Sequence, residues 1–258
     1  MIHPTAIVHP EARVGRSAEI GPYCVVGKHV SIGERTLLQA HVVINGWTTI
    51  GDDCTIYPFT TIGAASQDRK YHGERAYTRI GHRTTIREYV SIQRATGSEE
   101  VTAVGDDCLL LAYVHIAHNC IVGNHVTMSN LAQLAGHVIV RDHVTIGGMA
   151  GIHQFTRIGD YAMLGGASKV TKDVPPFLLV EGNPAEVYGL NSVGLRRAQF
   201  SVEDRNELRA FHDLLYKANL NVSQAVEKMK ERVSTDAGRT FVAFLEEPPH
   251  DSSRGILK

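Results

Sequence analysis

The stretch VHPEARVGRSAEIGPYCVVGKHVSIGERTLLQAHVVIN, residues 8–45, decides the fold. Val8, Val14, Ile20, Val26, Ile32, Leu38 and Ile44 recur at every sixth residue, a period that neither an amphipathic helix nor a half-buried strand produces. Extended in both directions, the phase runs from Ile2 to Val170 and is broken only by Asp68, Glu74 and Ser98. Two residues before the aliphatic stands a small or β-branched side chain, among them Ala6, Ala12, Ala18, Thr36, Thr48, Thr84, Ala132 and Ala162. The residue after it is often glycine, as at Gly15, Gly21, Gly33, Gly51 and Gly81, where it is expected to let the backbone turn a corner. Together these positions describe an all-β solenoid, a hexapeptide-repeat parallel β-helix whose aliphatics stack inside a narrow prism. Three hexads should close one triangular coil, so residues 18 apart should lie one above the other.

Two breaks in the aliphatic register mark loops that leave the prism. The first is AASQDRKYHGERAYTR, residues 64–79, and the second QRATGSEEVTA, residues 93–103; long loops on a rigid scaffold carry function. The β-helix is expected over 1–174, ending where Asp173-Val174-Pro175-Pro176 can no longer continue a ladder. A linker over 175–200 contains EGNPAE, and the character then turns helical over 201–258. Ser201 with Asp204 reads as a capping pair before a helix carrying Leu208, Phe211 and Leu215. Further helices are expected in VSQAVEKMKERV and around Arg239 to Leu245. This C-terminal α-helical domain would cap the open end of the β-helix.

With 258 residues, 43% of them hydrophobic, the chain can build an ordinary soluble core. A formal net charge of −1 argues against nucleic acid as the main partner. The opening MIHPTAIVHP has neither a basic n-region nor an apolar h-region, and no apolar run reaches the length of a membrane span, so a cytoplasmic protein without an integral membrane segment is expected. Cys24, Cys54, Cys108 and Cys120 all occupy the small inward position of the hexad, where thiols pack as apolar groups. Neither a C-x-x-C metal pair nor a disulfide framework is present.

His118 lies two residues past the inward Ile116, so its side chain should point out of the prism. One coil above it the 18-residue rule places Gly136, whose backbone N–H can be approached closely, and His137 stacks over Asn119 in the same way. An imidazole base beside an exposed amide donor is what acyl transfer needs: the base takes the nucleophile's proton and the amide holds the oxyanion. A zinc hydratase of the γ-carbonic anhydrase type is the alternative that the 14 histidines suggest, although a His triad at that spacing is not evident. A non-catalytic solenoid with outward threonine rows is a third reading, but the repeating threonines fall on the inward position.

The ordered motifs HIAHNC (115–120), NLAQLAGHV (130–138), IGGMAGIHQF (146–155), DVPPF (173–177), EGNPAE (181–186) and GLRR (194–197) resemble those of the UDP-N-acetylglucosamine O-acyltransferases. The likeness extends to the QDRKYHGE loop, the helical tail and the SSRG near the end. The resemblance implies left-handed winding, against the usual right-handed preference of parallel crossovers. It also implies transfer of a 3-hydroxyacyl group from acyl carrier protein to UDP-N-acetylglucosamine, in the first step of lipid A synthesis, by a homotrimer that needs no cofactor and no metal. Carried over by motif, His118 is the general base and the Gly136 amide the oxyanion donor. Asp68 and Lys70 would hold the sugar nucleotide; His115, His137, His153 and Gln154 would line the cleft; Asn191 and Arg197 would bind the nucleotide end. Gly148 and Gly166 would leave open a groove for the acyl chain, the second acting as a ruler for a long donor.

Four positions depart from that family's pattern. Asn119 replaces a common acidic residue after the base, Gln93 a frequent histidine, Val193 a carboxylate and Ala198 a second arginine. They leave open whether the acceptor carries a 3-hydroxyl or a 3-amino group. Arg196 and Arg197, with Lys169, Lys172 and Arg254, could form a basic rim that steers an acidic carrier protein.

Overall fold

Most hexads contribute a two-residue strand that ends in the repeated aliphatic, such as Ile7–Val8, Arg13–Val14 and Glu19–Ile20. In the computed structural model, which describes residues 1–248, 250 and 252–258, these strands stack into three sheets. The first has nine strands, from Ile7–Val8 to Lys169–Val170; the second has eight, from Arg13–Val14 to Arg157–Ile158; the third has ten and starts at Glu19–Ile20. Pairing within the prism is parallel and in register, as in Val8↔Val26, Val14↔Ile32 and Ile20↔Leu38.

The three sheets are the walls of a prism, and both inward positions of each hexad are buried. Ile44, Ile56, Leu110, Leu134 and Leu164 are fully buried, as are Thr36, Thr48, Thr60 and Thr84 on the small position. A buried hydroxyl is costly unless paired, and each of these threonines is paired. Thr60 donates to the Arg87 carbonyl and Thr84 to the Gly105 carbonyl, one coil on. The buried cysteines behave alike: Cys108 and Cys120 donate to the carbonyls of Gly123 and Ala135. Burial pushes the Cys108 thiol up to about 11 and the Cys120 thiol up to about 12, so neither is a nucleophile at neutral pH.

The corners, rather than the walls, distinguish one side of the molecule from another. Most turns contain one left-handed residue, for example Tyr23 (φ 57°), Asn119 (58°), His137 (60°) and Phe155 (63°). The hexad glycines do not serve the turn, contrary to the expectation from sequence: Gly15, Gly21, Gly33 and Gly51 lie outside the left-handed region. They are needed for close approach between coils, since a Cβ on Gly15 would lie 2.7 Å from the Gly33 oxygen and one on Gly51 2.6 Å from the Gly81 oxygen.

Between the third and first sheets runs an aromatic corner, with Tyr23, His41, Phe59, Tyr89 and Tyr113 stacked at centroid spacings of 4.8–5.0 Å. Between the second and third sheets, a ladder of side-chain oxygens satisfies backbone donors one coil below. Asp52 accepts from Glu34 N, Asp106 from His82 N, Asn124 from Asp106 N and Asp142 from Asn124 N. The remaining corner, between the first and second sheets, carries both long loops. They span 65–76 and 94–100, because strands already begin at Tyr77 and Val101; the sequence reading had carried the loops to Arg79 and Ala103. Across the loops the partner separation rises from 18 to 30 (Thr61↔Ser91) and 24 (Ser91↔His115). The insertions are whole hexads, which is why the aliphatic phase survives them.

The ladder does not stop at the prolines. Val174 bridges Ile158, and Leu178–Gly182 adds to the third sheet beside Met163–Leu164 before turning antiparallel into Ala185–Leu190. Four helices follow: α1 (Ser192–Arg197), α2 (Val202–Tyr216), α3 (Val222–Lys230) and α4 (Asp236–Glu246). Helix α2 opens with the expected capping box of Ser201 and Asp204; α1 was not anticipated. Phe177, Leu178, Leu195, Phe211 and Phe241 join the prism interior in one continuous apolar core. No helix among the described residues is long and apolar enough to cross a membrane.

A buried ion pair ties cap to prism. Arg157 contacts Asp173 at 2.8 Å, with their side chains 5% and 1% exposed, and Arg157 also reaches Glu247 beyond α4 at 3.4 Å. Asp173 in turn holds the C-terminal tail through hydrogen bonds with Gly255 and Leu257. Removing one partner of a buried pair strands the other charge. Asp173→Ala should therefore cost about 3–5 kcal/mol of unfolding free energy, read as a lower urea midpoint. An unchanged midpoint would mean that the pair does not hold the cap.

Candidate active site

His118, Gly136 and Gln154 stack on successive coils of the loop-bearing corner, one residue before the left-handed turn residues Asn119, His137 and Phe155. Backbone bonds fix the stack: His137 N donates to the His118 carbonyl and Phe155 N to the Gly136 carbonyl. The side-chain acceptors that occupy the opposite corner are missing here, and the buried Gly136 has an N–H with no acceptor among the described residues. Buried backbone donors are nearly always paired, so this one is free for a ligand. The His118 ring lies against it so closely that a Cβ on Gly136 would sit 2.6 Å from Nε2 and Cε1. Glycine is required because the His118 imidazole occupies the space a side chain would take.

The tautomer of His118 follows from its neighbour. Asn119 Nδ2 donates to the Thr96 carbonyl at 3.0 Å, which turns its Oδ1 toward the Thr96 N–H at 2.9 Å and His118 Nδ1 at 3.0 Å. Facing an acceptor that cannot donate, Nδ1 must carry the proton. The lone pair is left on Nε2, on the side of Gly136. Asn119 is itself fixed by its N–H bond to Thr102 Oγ1 at 2.8 Å. The neutral residue that departs from the family pattern thus orients the ring without adding charge.

Both loops brace this arrangement. Thr96 Oγ1 pairs with Ser66 Oγ at 2.7 Å, Ser66 Oγ accepts from Asp68 N at 3.1 Å, and Gly97 N donates to Glu74 at 2.8 Å. Gln93 is buried and accepts from Gln67 N, so its amide anchors the first loop. Asp68 closes a turn over Lys70 N, and the Lys70 side chain is exposed. The Asp68 and Glu100 carboxylates reach toward His137 electrostatically.

Of the other residues picked from the sequence, His115 and His153 line a cleft of about 390 Å³ on the first sheet, with Ala117, Gln133, Ala135 and Lys169. His115 pairs with Ser91 Oγ at 2.7 Å. Burial first, and then the nearby charge of His118, hold His115 and His137 below the ordinary histidine range. Gln154 is exposed at the top of the His118 stack. Gly148 and Gly166 do stack, a Cβ on Gly166 lying 3.4 Å from the Gly148 oxygen, but they sit at the aromatic corner, across the first sheet from His118.

Asn191 lies elsewhere again. It caps α1, its Oδ1 accepting from Gly194 N and its Nδ2 donating to the Tyr161 carbonyl at the third corner. Arg197 is exposed in the last turn of α1, with exposed Val193 and Ala198 near it. One chain therefore does not bring Asn191 and Arg197 to the corner that holds His118. His250 escaped the sequence reading: its ring stacks on Phe155 at 4.3 Å and lies 6.1 Å from His137. No spacing rule connects residue 250 with this corner; only the path of the tail does. No trio of His, Cys, Asp or Glu side chains is grouped as metal ligands among the described residues.

Comparison with known proteins matches residues 173–257 to the second domain of UDP-N-acetylglucosamine O-acyltransferase and residues 29–64 to the bacterial transferase hexapeptide repeat. The acyl-[acyl-carrier-protein]–UDP-N-acetylglucosamine O-acyltransferase of Thermodesulfovibrio yellowstonii is 52% identical, with 90% of each chain covered. That of Synechocystis is 42% identical, covering 98% of this chain and 92% of its own. Among solved structures, LpxA from Acinetobacter baumannii superposes with a TM-score of 0.95 at 40% identity, covering 100% of this chain and 99% of that one. The UDP-N-acetylglucosamine acyltransferase of Francisella novicida gives 0.94 at 37% identity, covering 100% and 94%. The expected left-handed parallel β-helix is the fold of this chain.

Nitrogen-15 spectra of histidine-labelled protein test the site directly. Neutral His118 should appear as the Nδ1–H tautomer, with His115 and His137 titrating at lower pH than a free histidine. An Nε2–H ring at His118 would remove the base from the face of Gly136.

Proposed function

The chain belongs to the UDP-N-acetylglucosamine O-acyltransferase family, and we propose that His118 and the Gly136 amide perform its acyl transfer. The reaction moves an acyl group from acyl carrier protein to UDP-N-acetylglucosamine and opens lipid A synthesis. The free Gly136 N–H beside the unprotonated Nε2 is the observation that carries this reading.

His118 Nε2 takes the proton of the sugar's 3-hydroxyl as its oxygen attacks the thioester carbonyl of the 3-hydroxyacyl donor. The Gly136 N–H stabilises the oxyanion that forms. When the tetrahedral intermediate collapses, the C–S bond breaks and the imidazolium returns its proton to the departing thiolate. His115 and His137, kept neutral by burial, add no positive charge against that imidazolium. Asp68 and Lys70 project from the first loop toward the acceptor, while His153 and Gln154 border the donor side. Four free buried cysteines suit a reducing cytoplasm.

A homotrimer completes the site. With Asn191 and Arg197 at a different corner from His118, a neighbouring chain is needed to supply the nucleotide end. The exposed aromatic corner, where Tyr23, Phe59, Tyr89, Tyr113, Leu131 and Met149 form one stripe, offers the apolar surface for that assembly. The glycine strip of Gly148 and Gly166 then lies at a subunit boundary, where a long acyl chain could run.

Four measurements follow from this reading. His118→Ala should lose roughly 10²–10⁴ in kcat while keeping its fold, and Gly136→Ala should fall by at least 10²-fold by crowding Nε2; near wild-type turnover in either would refute the assignment. Asn119→Asp should move the acidic limb of kcat/KM to higher pH, because a carboxylate beside Nδ1 favours the protonated ring; an unmoved limb would argue against the contact. Light scattering should give about three times the chain mass of 28.3 kDa, and an active monomer would sink the shared site. Gly166→Met should shift donor preference toward shorter chains, since each buried methylene is worth about 0.8 kcal/mol; an unchanged preference would place the groove elsewhere.

A further inference from the structure

The bonds that brace the His118 ring join end to end into a chain that finishes on a carboxylate. Thr96 and Gly97 share one trans peptide unit. Its carbonyl accepts from Asn119 Nδ2 at 3.0 Å, and its N–H donates to Glu74 Oε1 at 2.8 Å. A trans peptide points its C=O and N–H in opposite directions, so Asn119 and Glu74 grip the same unit from its two sides. Gly97 has a φ of 99°, which a side chain would strain, and this turns the unit toward both partners. At the far end Asn119 Oδ1 faces His118 Nδ1 at 3.0 Å. The order is therefore Glu74 carboxylate, peptide 96–97, Asn119 amide, His118 imidazole, with every N–H aimed toward the carboxylate end. Glu74 is fixed by its second oxygen, which accepts from His72 N at 2.7 Å. Backbone donors, Gly97 first, hold its carboxyl below the usual carboxylate range, so it is ionised at neutral pH. The first loop's other carboxylate, Asp68, is taken by Lys70 N instead.

We infer that Glu74 is a positioning residue for His118: through peptide 96–97 and the Asn119 amide it holds the ring as the Nδ1–H form and supports the imidazolium. The inference rests on the reading of His118 as the general base and adds the source of negative charge that the neutral Asn119 does not bring. Aligned hydrogen bonds polarise one another, more strongly where water is partly excluded, and Glu74, Thr96, Gly97, Asn119 and His118 are all half-buried. The carboxylate draws on the Gly97 N–H, which makes the Thr96 oxygen more negative. That oxygen draws on Asn119 Nδ2–H, which makes Oδ1 a stronger acceptor for Nδ1–H. No proton moves along the chain; only the amide dipoles respond. The titratable groups facing the His118 ring are His115 and His137, with Asp68, Glu100 and His250 beyond His137. His72 adjoins Glu74.

The test is a double-mutant cycle of Glu74→Gln with Asn119→Asp in the full-length protein. Glutamine keeps an acceptor for the Gly97 N–H and removes the charge. In nitrogen-15 titration of the free enzyme, Glu74→Gln should move the His118 midpoint down by about half a pH unit, as loss of one nearby charge does. The acidic limb of kcat/KM should move down with it. Turnover should fall roughly two- to tenfold, a fraction of the 10²–10⁴ that a positioned base supplies. In the Asn119→Asp background the linking Nδ2–H is gone and a charge stands beside Nδ1, so Glu74→Gln should move neither the midpoint nor the limb. An unmoved midpoint in folded Glu74→Gln would overturn the proposal. So would an equal shift in both backgrounds, which would mean that the charge acts through space. A raised KM for UDP-N-acetylglucosamine with the limb in place would reduce Glu74 to a brace for the first loop and overturn it too. Because the titration reads the free enzyme, a shifted midpoint alongside near wild-type turnover in His118→Ala would uphold the chain and refute His118 as the base.

Discussion

Successive coils hydrogen-bond through Cα partners 18 residues apart, or 18 plus whole hexads across the two loops. That ladder leaves an interior wide enough for one aliphatic and one small side chain per wall, and most of the hydroxyls and thiols it buries bond a carbonyl on their own or the next coil. A chain under this constraint has little freedom on its walls. Its freedom lies at the corners, where two residues per turn point outward and where a hexad can be added without disturbing the stack.

The three corners of this prism have been used differently. One is paved with stacked aromatic rings, one with side-chain oxygens that quench the backbone donors of the coil below, and one is left open. At the open corner the Gly136 N–H has no partner among the described residues, both loop insertions emerge, and Thr96 from the second loop reaches across to orient Asn119. The orientation of the His118 ring and the unpaired Gly136 N–H thus arise from local departures from a rule that the opposite corner obeys.

The hexad phase made the prism, its inward set and the stacking of Gly136 on His118 legible from sequence, because a strict period converts residue number into position. The helical cap was legible from its capping pair at Ser201 and its helix-spaced apolar residues. What the period could not convey lay outside it. The glycines after the aliphatics were read as turn residues, whereas the turns are made two positions later and the glycines relieve crowding between coils. The prolines after Val174 looked like an end to the ladder, yet the chain rejoins the third sheet at Leu178–Gly182 because only a parallel interior strand needs every N–H. His250 was invisible, since only the tertiary packing of the tail brings it to Phe155 and His137.

The central claim is that the reacting atoms lie between His118 Nε2 and the Gly136 N–H, in a site closed by a second copy of the chain. A crystal structure of the assembled protein with its acylated sugar-nucleotide product addresses this most directly. The account requires the ester linkage to place its bridging oxygen within hydrogen-bonding reach of Nε2, and its carbonyl oxygen about 2.7–3.1 Å from Gly136 N, with Asn191 and Arg197 of a neighbouring subunit at the uridine end. A product whose ester lies away from Gly136, or one bound wholly by a single chain, would contradict it.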